Sequence, residues 1–277
     1  MMSTDSSPFV REARQHFVYE FKVEDAIPYF QTLPEEFKIS TECNIVDVIY
    51  ESFVVTADQD YLTARLLAKS GLYRAFYWAA AQAIEKYLKA FLLLRGESVK
   101  DGTHDVEALY IKACTLDASL QIITIEPHDL LSVPEYARDY LKVFSTIEFL
   151  RDIDKFGRPD NRYNSFGVDF NSGCLFALDH FIFSLREKII VPDIWQSLRK
   201  VDGHLIDTFE INNPWFSRET NASNWPQAPI VVTDSMAVTK LDFLVKQSQN
   251  PPYRLALKWL NQMMKLPNEL RKRIDKL

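Results

Sequence analysis

The sequence predicts an all-α protein built from packed amphipathic helices, and three observations carry that expectation. Long stretches repeat apolar residues at spacings of three and four, the pattern of helices lying on a core. Only seven of the 277 residues are glycine, too few for an architecture of many tight turns. Two of those glycines, Gly71 and Gly96, fall where left-handed C-terminal helix caps belong, bracketing the longest amphipathic stretch.

That stretch, GLYRAFYWAAAQAIEKYLKAFLLLRG, organises the chain. As a helix it puts Phe76, Ala80, Ala83, Ile84, Tyr87, Phe91 and Leu94 on one broad face. Arg74, Gln82, Glu85, Lys86 and Lys89 take the other side. Glu85 precedes Lys89 by four residues, the better orientation for a helical ion pair, worth only about 0.2–0.5 kcal/mol. The small residues Ala79 to Ala81 and Ala83 admit a second helix at close range.

Taken in order, residues 1–15 are polar and read as frayed. Phe17, Tyr19, Phe21 and Val23 alternate, which predicts a short strand within His16–Val23. Pro28 and Pro34 interrupt the next stretch, and Ile45, Val48, Ile49 and Phe53 then recur at helical spacing. A helix over Asp58–Lys69 precedes the central one. The next begins near His104, with Thr103 or His104 as N-cap and Val106, Leu109, Tyr110 and Ala113 inward. Ser132-Val133-Pro134-Glu135 has capping-box spacing and starts a fourth helix running to about Asp154, with Tyr136, Tyr140, Phe144 and Ile147 facing in.

The fifth helix covers about Asp169–Ile190, with a seam of Leu175, Leu178, Ile182, Leu185 and Ile189. Phe176, His180 and Phe183 give it a second apolar side, to be covered by the C-terminal segment or by a second subunit. Beyond it come a helix over Trp195–Phe209, a long loop from Ile211 to Pro229, and helices near 235–248, 252–265 and 268–277. The expected organisation is an N-terminal extension with a strand at 1–56, a bundle at 57–190, and a helical C-terminal extension at 191–277 packing on the bundle.

Composition narrows the function classes. A net charge of −6 gives no global attraction for nucleic acid and leaves only local basic patches. Cys43, Cys114 and Cys174 are scattered and odd in number, as thiols of a reducing compartment are. The start shows no basic-then-apolar signal, and no run nears the roughly 18 apolar residues of a membrane span, so a cytoplasmic protein is expected. The five histidines and three cysteines form no metal-ligand spacing, and neither a Walker loop nor G-x-S-x-G is present. No metal and no cofactor are expected.

ARLLAKSGLYRAFYWAAAQAIEKYLKAFLLLRG, then GTHDVEAL, then NRYN, resembles the HEPN domain over about residues 57–190. The features that carry the resemblance are Gly71-Leu72-Tyr73, Gln82, Glu85 through Lys89, His104-Asp105 and Arg162-Tyr163. It implies an up-and-down helical bundle that is often a homodimer. It also implies either RNA cleavage in toxin and defence systems, or nucleotide and RNA binding beside a nucleotidyltransferase partner. Nuclease members carry an Arg followed, after four to six intervening residues, by a His before the final helix; the His is the acid/base and the Arg steadies phosphate charge. Here Arg151 to Phe170 has Arg151, Arg158 and Arg162 but no histidine. The spacing occurs instead at Arg11–His16 and Arg199–His204.

The candidate ligand-binding residues are therefore Arg151, Lys155, Arg158 and Arg162, cations able to converge on phosphate, and Tyr163, able to stack on a base. The plainer reading is a solvated helix end whose cations pair with Asp152, Asp154 and Asp160 and suit the helix dipole. His104 reads as a capping or dipole-facing residue of the Thr103–Asp105 turn, Gln82, Glu85 and Lys89 as a solvated face or inter-helix polar contacts, and the RKRIDK run at 271–276 as a short basic helix end. The resulting expectation is a HEPN-like, non-catalytic protein that binds a nucleotide, RNA or a partner protein. The competing expectation is a metal-independent endoribonuclease whose displaced pair is Arg199 and His204.

Overall fold

A computed structural model describes residues 19–121, 124–125, 128, 144–159, 161, 167–189, 213 and 239–276. Its helices, in chain order, are α1 (Glu35–Ile49), α2 (Thr56–Lys69), α3 (Tyr73–Leu94), α4 (Val106–Leu116), α5 (Thr146–Gly157), α6 (Ser172–Ile189), α7 (Lys240–Lys246), α8 (Pro251–Met263) and α9 (Asn268–Ile274). The fold is mostly helical, as expected. A π-helical stretch, Tyr50–Val55, joins α1 to α2 without a turn. At its end the Thr56 hydroxyl, from the first residue of α2, donates back to the Ser52 carbonyl at 2.8 Å.

The hub is α3, on which α2, α4, α5 and α6 all pack. Its predicted inner face is fully out of water, with Phe76, Ala80, Ala83, Ile84, Tyr87 and Phe91 at 0% exposure. Gly71 at φ +73° and Gly96 at φ +78° end the flanking turns as expected. Glu97 N–H reaches back to Leu92 O at 2.9 Å, and Leu72 N–H to Leu67 O at 2.9 Å, the bonds of a Schellman cap. Where α5 crosses α3, Gly157 lies so close that a Cβ there would sit 2.7 Å from the Tyr77 carbonyl oxygen.

Three expectations are corrected. No strand forms over residues 19–23. Those residues alternate as expected, with Phe21 and Val23 buried, but they run as extended chain and a short 3-10 turn. Glu20 N–H finds the Leu94 carbonyl at 2.7 Å, a single bond where a strand needs a ladder. The fourth helix does not run unbroken into Asp154. Phe144–Ser145 is a two-residue strand, β2, antiparallel to β1 (Thr124–Ile125). Ser145 then caps α5 in a capping box with Glu148. The box expected at Ser132–Glu135 lies outside the described residues, with Tyr136 and Tyr140. The third correction, the cap of α4, belongs to the site below.

The C-terminal helices lie on α1: α8 packs against it, and α7 and α9 pack against α8. The Trp259 ring lies 4.9 Å from that of Phe21, and Val99 N–H donates to Met263 O at 2.9 Å. The helix expected over 195–209 lies outside the described residues.

Candidate functional site

Residues far apart in sequence meet at the start of α4. His104 Nδ1 lies 2.9 Å from Glu85 Oε1, and Lys89 Nζ lies 2.6 Å from the same oxygen. Of the two roles expected for Glu85, a solvated face or a polar contact between helices, the structure shows the second: it is 8% exposed beneath these two partners. The His104 side chain stays 85% exposed. A neutral imidazole that donates from Nδ1 to Glu85 keeps Nε2 as an acceptor facing water.

The cap of α4 is Asp105, not Thr103 or His104: its Oδ1 accepts the Ala108 N–H at 2.9 Å. Thr103 sits one step back, its Oγ1 accepting from Asp105 N–H at 2.9 Å. A second carboxylate arrives from α5. Asp154 accepts from Val106 N–H at 3.1 Å and from Glu107 N–H at 3.2 Å. Two carboxylates thus occupy the positive end of α4, which closes it to an outside anion. Burial pushes the Asp154 carboxyl up to about 6, and the neighbouring Asp105 adds to this against the two N–H bonds.

Among the predicted binding residues, Arg151 is already engaged: its Nε and Nη2 meet both oxygens of Glu107, each at 2.9 Å. This fork–fork pair fixes the guanidinium in a plane and absorbs its charge. Lys155 is exposed, its Nζ 4.9 Å from the centroid of the Phe156 ring. Arg158, the first residue after α5, is exposed too. Both stand at the negative end of α5, where cations are favoured. Arg162, Tyr163, Arg199 and His204 lie outside the described residues, as do Arg11 and His16.

A second set of polar residues is not among the candidates read from the sequence. Arg186 and the Tyr87 hydroxyl both donate to Asp58 Oδ1, and Arg186 also donates to the Tyr87 oxygen at 2.9 Å. Two helical turns along, Arg65 donates to Asp179, and Tyr61 donates to the same carboxylate at 2.5 Å while accepting from Asn213 at 2.9 Å. Burial works to raise the Asp179 carboxyl against the pull of Arg65. Burial likewise opposes the Arg65 charge, and Asp179 and Tyr61 together outweigh it. These are internal pairs that brace α2 against α6. Among the described residues, no three His, Cys, Asp or Glu side chains gather as metal ligands would, and no helix is long and apolar enough to cross a membrane.

Residues 50–156 match the family model of the HEPN domain. This stretch is a HEPN domain. The match opens at residue 50, in the π-helical stretch, and closes at 156, against the 57–190 expected from the resemblance. It therefore holds Glu85, Lys89, His104, Asp105, Arg151 and Lys155, and stops short of Arg158, Arg162 and α6. No curated protein and no solved structure matches the chain. Within the HEPN domain, the Glu85–Lys89 and His104–Asp105 signatures are one assembled unit: the first pair seats the histidine and the second caps the next helix.

Proposed function

We propose that this HEPN domain is a non-catalytic binding module that takes RNA, or a nucleotide, by its phosphates at the C-terminal end of α5. Lys155 and Arg158 are the anchoring cations. Arg162 adds a third and Tyr163 a stacking ring. The resemblance adds a homodimer and a nucleotidyltransferase partner to this reading.

One observation carries it. The segment from Arg151 to Phe170 concentrates four cations and contains no histidine, so it offers phosphate contacts without the imidazole that phosphodiester cleavage in this family uses. The exposure of Lys155 and Arg158 supports it, and the Glu107 fork removes Arg151 from the set. The test is fluorescence anisotropy with a labelled single-stranded RNA. Lys155→Ala with Arg158→Ala should weaken binding about tenfold at moderate salt and flatten its salt dependence by about two counterions. Binding untouched by the double substitution would contradict the assignment.

A further inference from the structure

The C-terminal half of α4, Gln121, Ser145 and the first turn of α5 line a half-open cavity of about 550 Å³. Small-molecule sites run from about 300 to 1,000 Å³. Its lining includes Tyr110, Ile111, Cys114, Gln121, Thr146 and Ile147, and among the described residues none of the lining side chains is charged.

The polar groups there are mostly spent on the protein itself. The Tyr110 hydroxyl donates to the Leu120 carbonyl at 2.9 Å. The Thr115 hydroxyl donates to Lys112 O at 2.7 Å, and the Ser145 hydroxyl belongs to the capping box of α5. Burial raises the Cys114 thiol, keeping it protonated as a neutral, polarizable wall. Ile111, at the rim, is 51% exposed, a large aliphatic side chain held in water beside a concavity. Gln121, exposed at the mouth, brings an amide that both donates and accepts.

We propose that this cavity binds an uncharged small molecule of bicyclic size, apolar except for one hydrogen-bonding atom met by Gln121. The body of the ligand lies between Ile111, Cys114 and Ile147. With no cation in the described lining, phosphate-bearing ligands find no counter-charge here. The site is therefore separate from the RNA reading and does not depend on it.

The test is a fluorescence titration of the full chain with N-phenyl-1-naphthylamine, an uncharged apolar probe. Saturable binding at one probe per chain is expected. Ile111→Lys, which places a charge at the rim of an exposed position, should weaken it at least tenfold, and Cys114→Trp, which fills the cavity, should abolish it. Leu116→Lys, exposed on the same helix but outside the lining, should leave it unchanged. Should Cys114→Trp fail to fold, the wild-type protein still decides the question. Bound probe should slow alkylation of Cys114 by N-ethylmaleimide, while Cys43 and Cys174 are buried away from the reagent. Non-saturating binding, binding indifferent to Ile111→Lys, or alkylation unaffected by the probe would overturn the proposal.

Discussion

Asp58 with Arg186, and Arg65 with Asp179, are ion pairs taken wholly out of water, with side-chain exposures of 2% or less. Taking two charges out of water costs several kcal/mol each, which the pairing and the tyrosine hydroxyls offset. Such pairs contribute little net stability when whole and cost a great deal when halved. Arg65→Met should destabilise the protein by about 3–5 kcal/mol in urea denaturation, and adding Asp179→Leu should return most of that loss. A double substitution as damaging as the single one would contradict the pairing. The signal is present in the sequence: Asp58 and Arg65 are seven apart on α2, and Asp179 and Arg186 are seven apart on α6. Two helical turns separate each pair, so antiparallel helices match them reciprocally. Without the partner helix in place, charged residues at such positions read as solvated ones.

Asp154 acts at the same scale. Its carboxyl rises from 3.8 to about 6 in the folded protein, so the native state holds that proton more tightly than the unfolded chain. The contribution is fully present below the ordinary carboxylate value and is lost as pH rises through 6. Measured as thermal midpoints, wild type should gain on Asp154→Asn as pH falls from 7 to 4. A constant difference between the two would show that Asp154 keeps an ordinary affinity for its proton.

At the scale of elements, the crossing of α5 over α3 depends on Gly157. An added Cβ would meet the Tyr77 carbonyl oxygen at 2.7 Å and the Ala81 Cβ at 2.8 Å, and the first of these is backbone. Gly157→Ala should therefore cost about 1–3 kcal/mol in a denaturant melt, and trimming Ala81 to glycine beside it should recover little. Recovery to wild-type stability would place the strain on Ala81 instead. Helices with a continuous stripe are legible in the sequence: α3, α6 and α8 lie where their apolar spacing puts them. Phe144 faces inside as expected, at 1% exposure, but on a strand. Its partner Ile125 lies across a long stretch of chain, and a two-residue pairing has no periodicity to announce it. The strand expected at Tyr19–Val23 fails for the complementary reason: alternation predicts which side is buried, and no neighbouring strand supplies a ladder.

At the scale of the whole molecule, a HEPN domain is centred on α3, and α1 and the C-terminal helices are laid against one another beside it. The bundle is readable because one helix carries nearly all of its core contacts. The assembled site is less so. Glu85, Lys89, His104 and Asp105 are each visible as motif residues, but their convergence depends on the turn after Gly96 bringing His104 back over α3. Arg151 reads as a free cation because nothing in the sequence places Glu107, 44 residues earlier, opposite its guanidinium. The proposed role, holding RNA phosphates without cutting them, is tested most directly by incubating the pure protein with labelled RNA in EDTA. The RNA should be retained intact, and Arg199→Ala with His204→Ala should change nothing. Cleavage by the wild-type protein that disappears in that double variant would contradict the claim and establish a metal-independent nuclease.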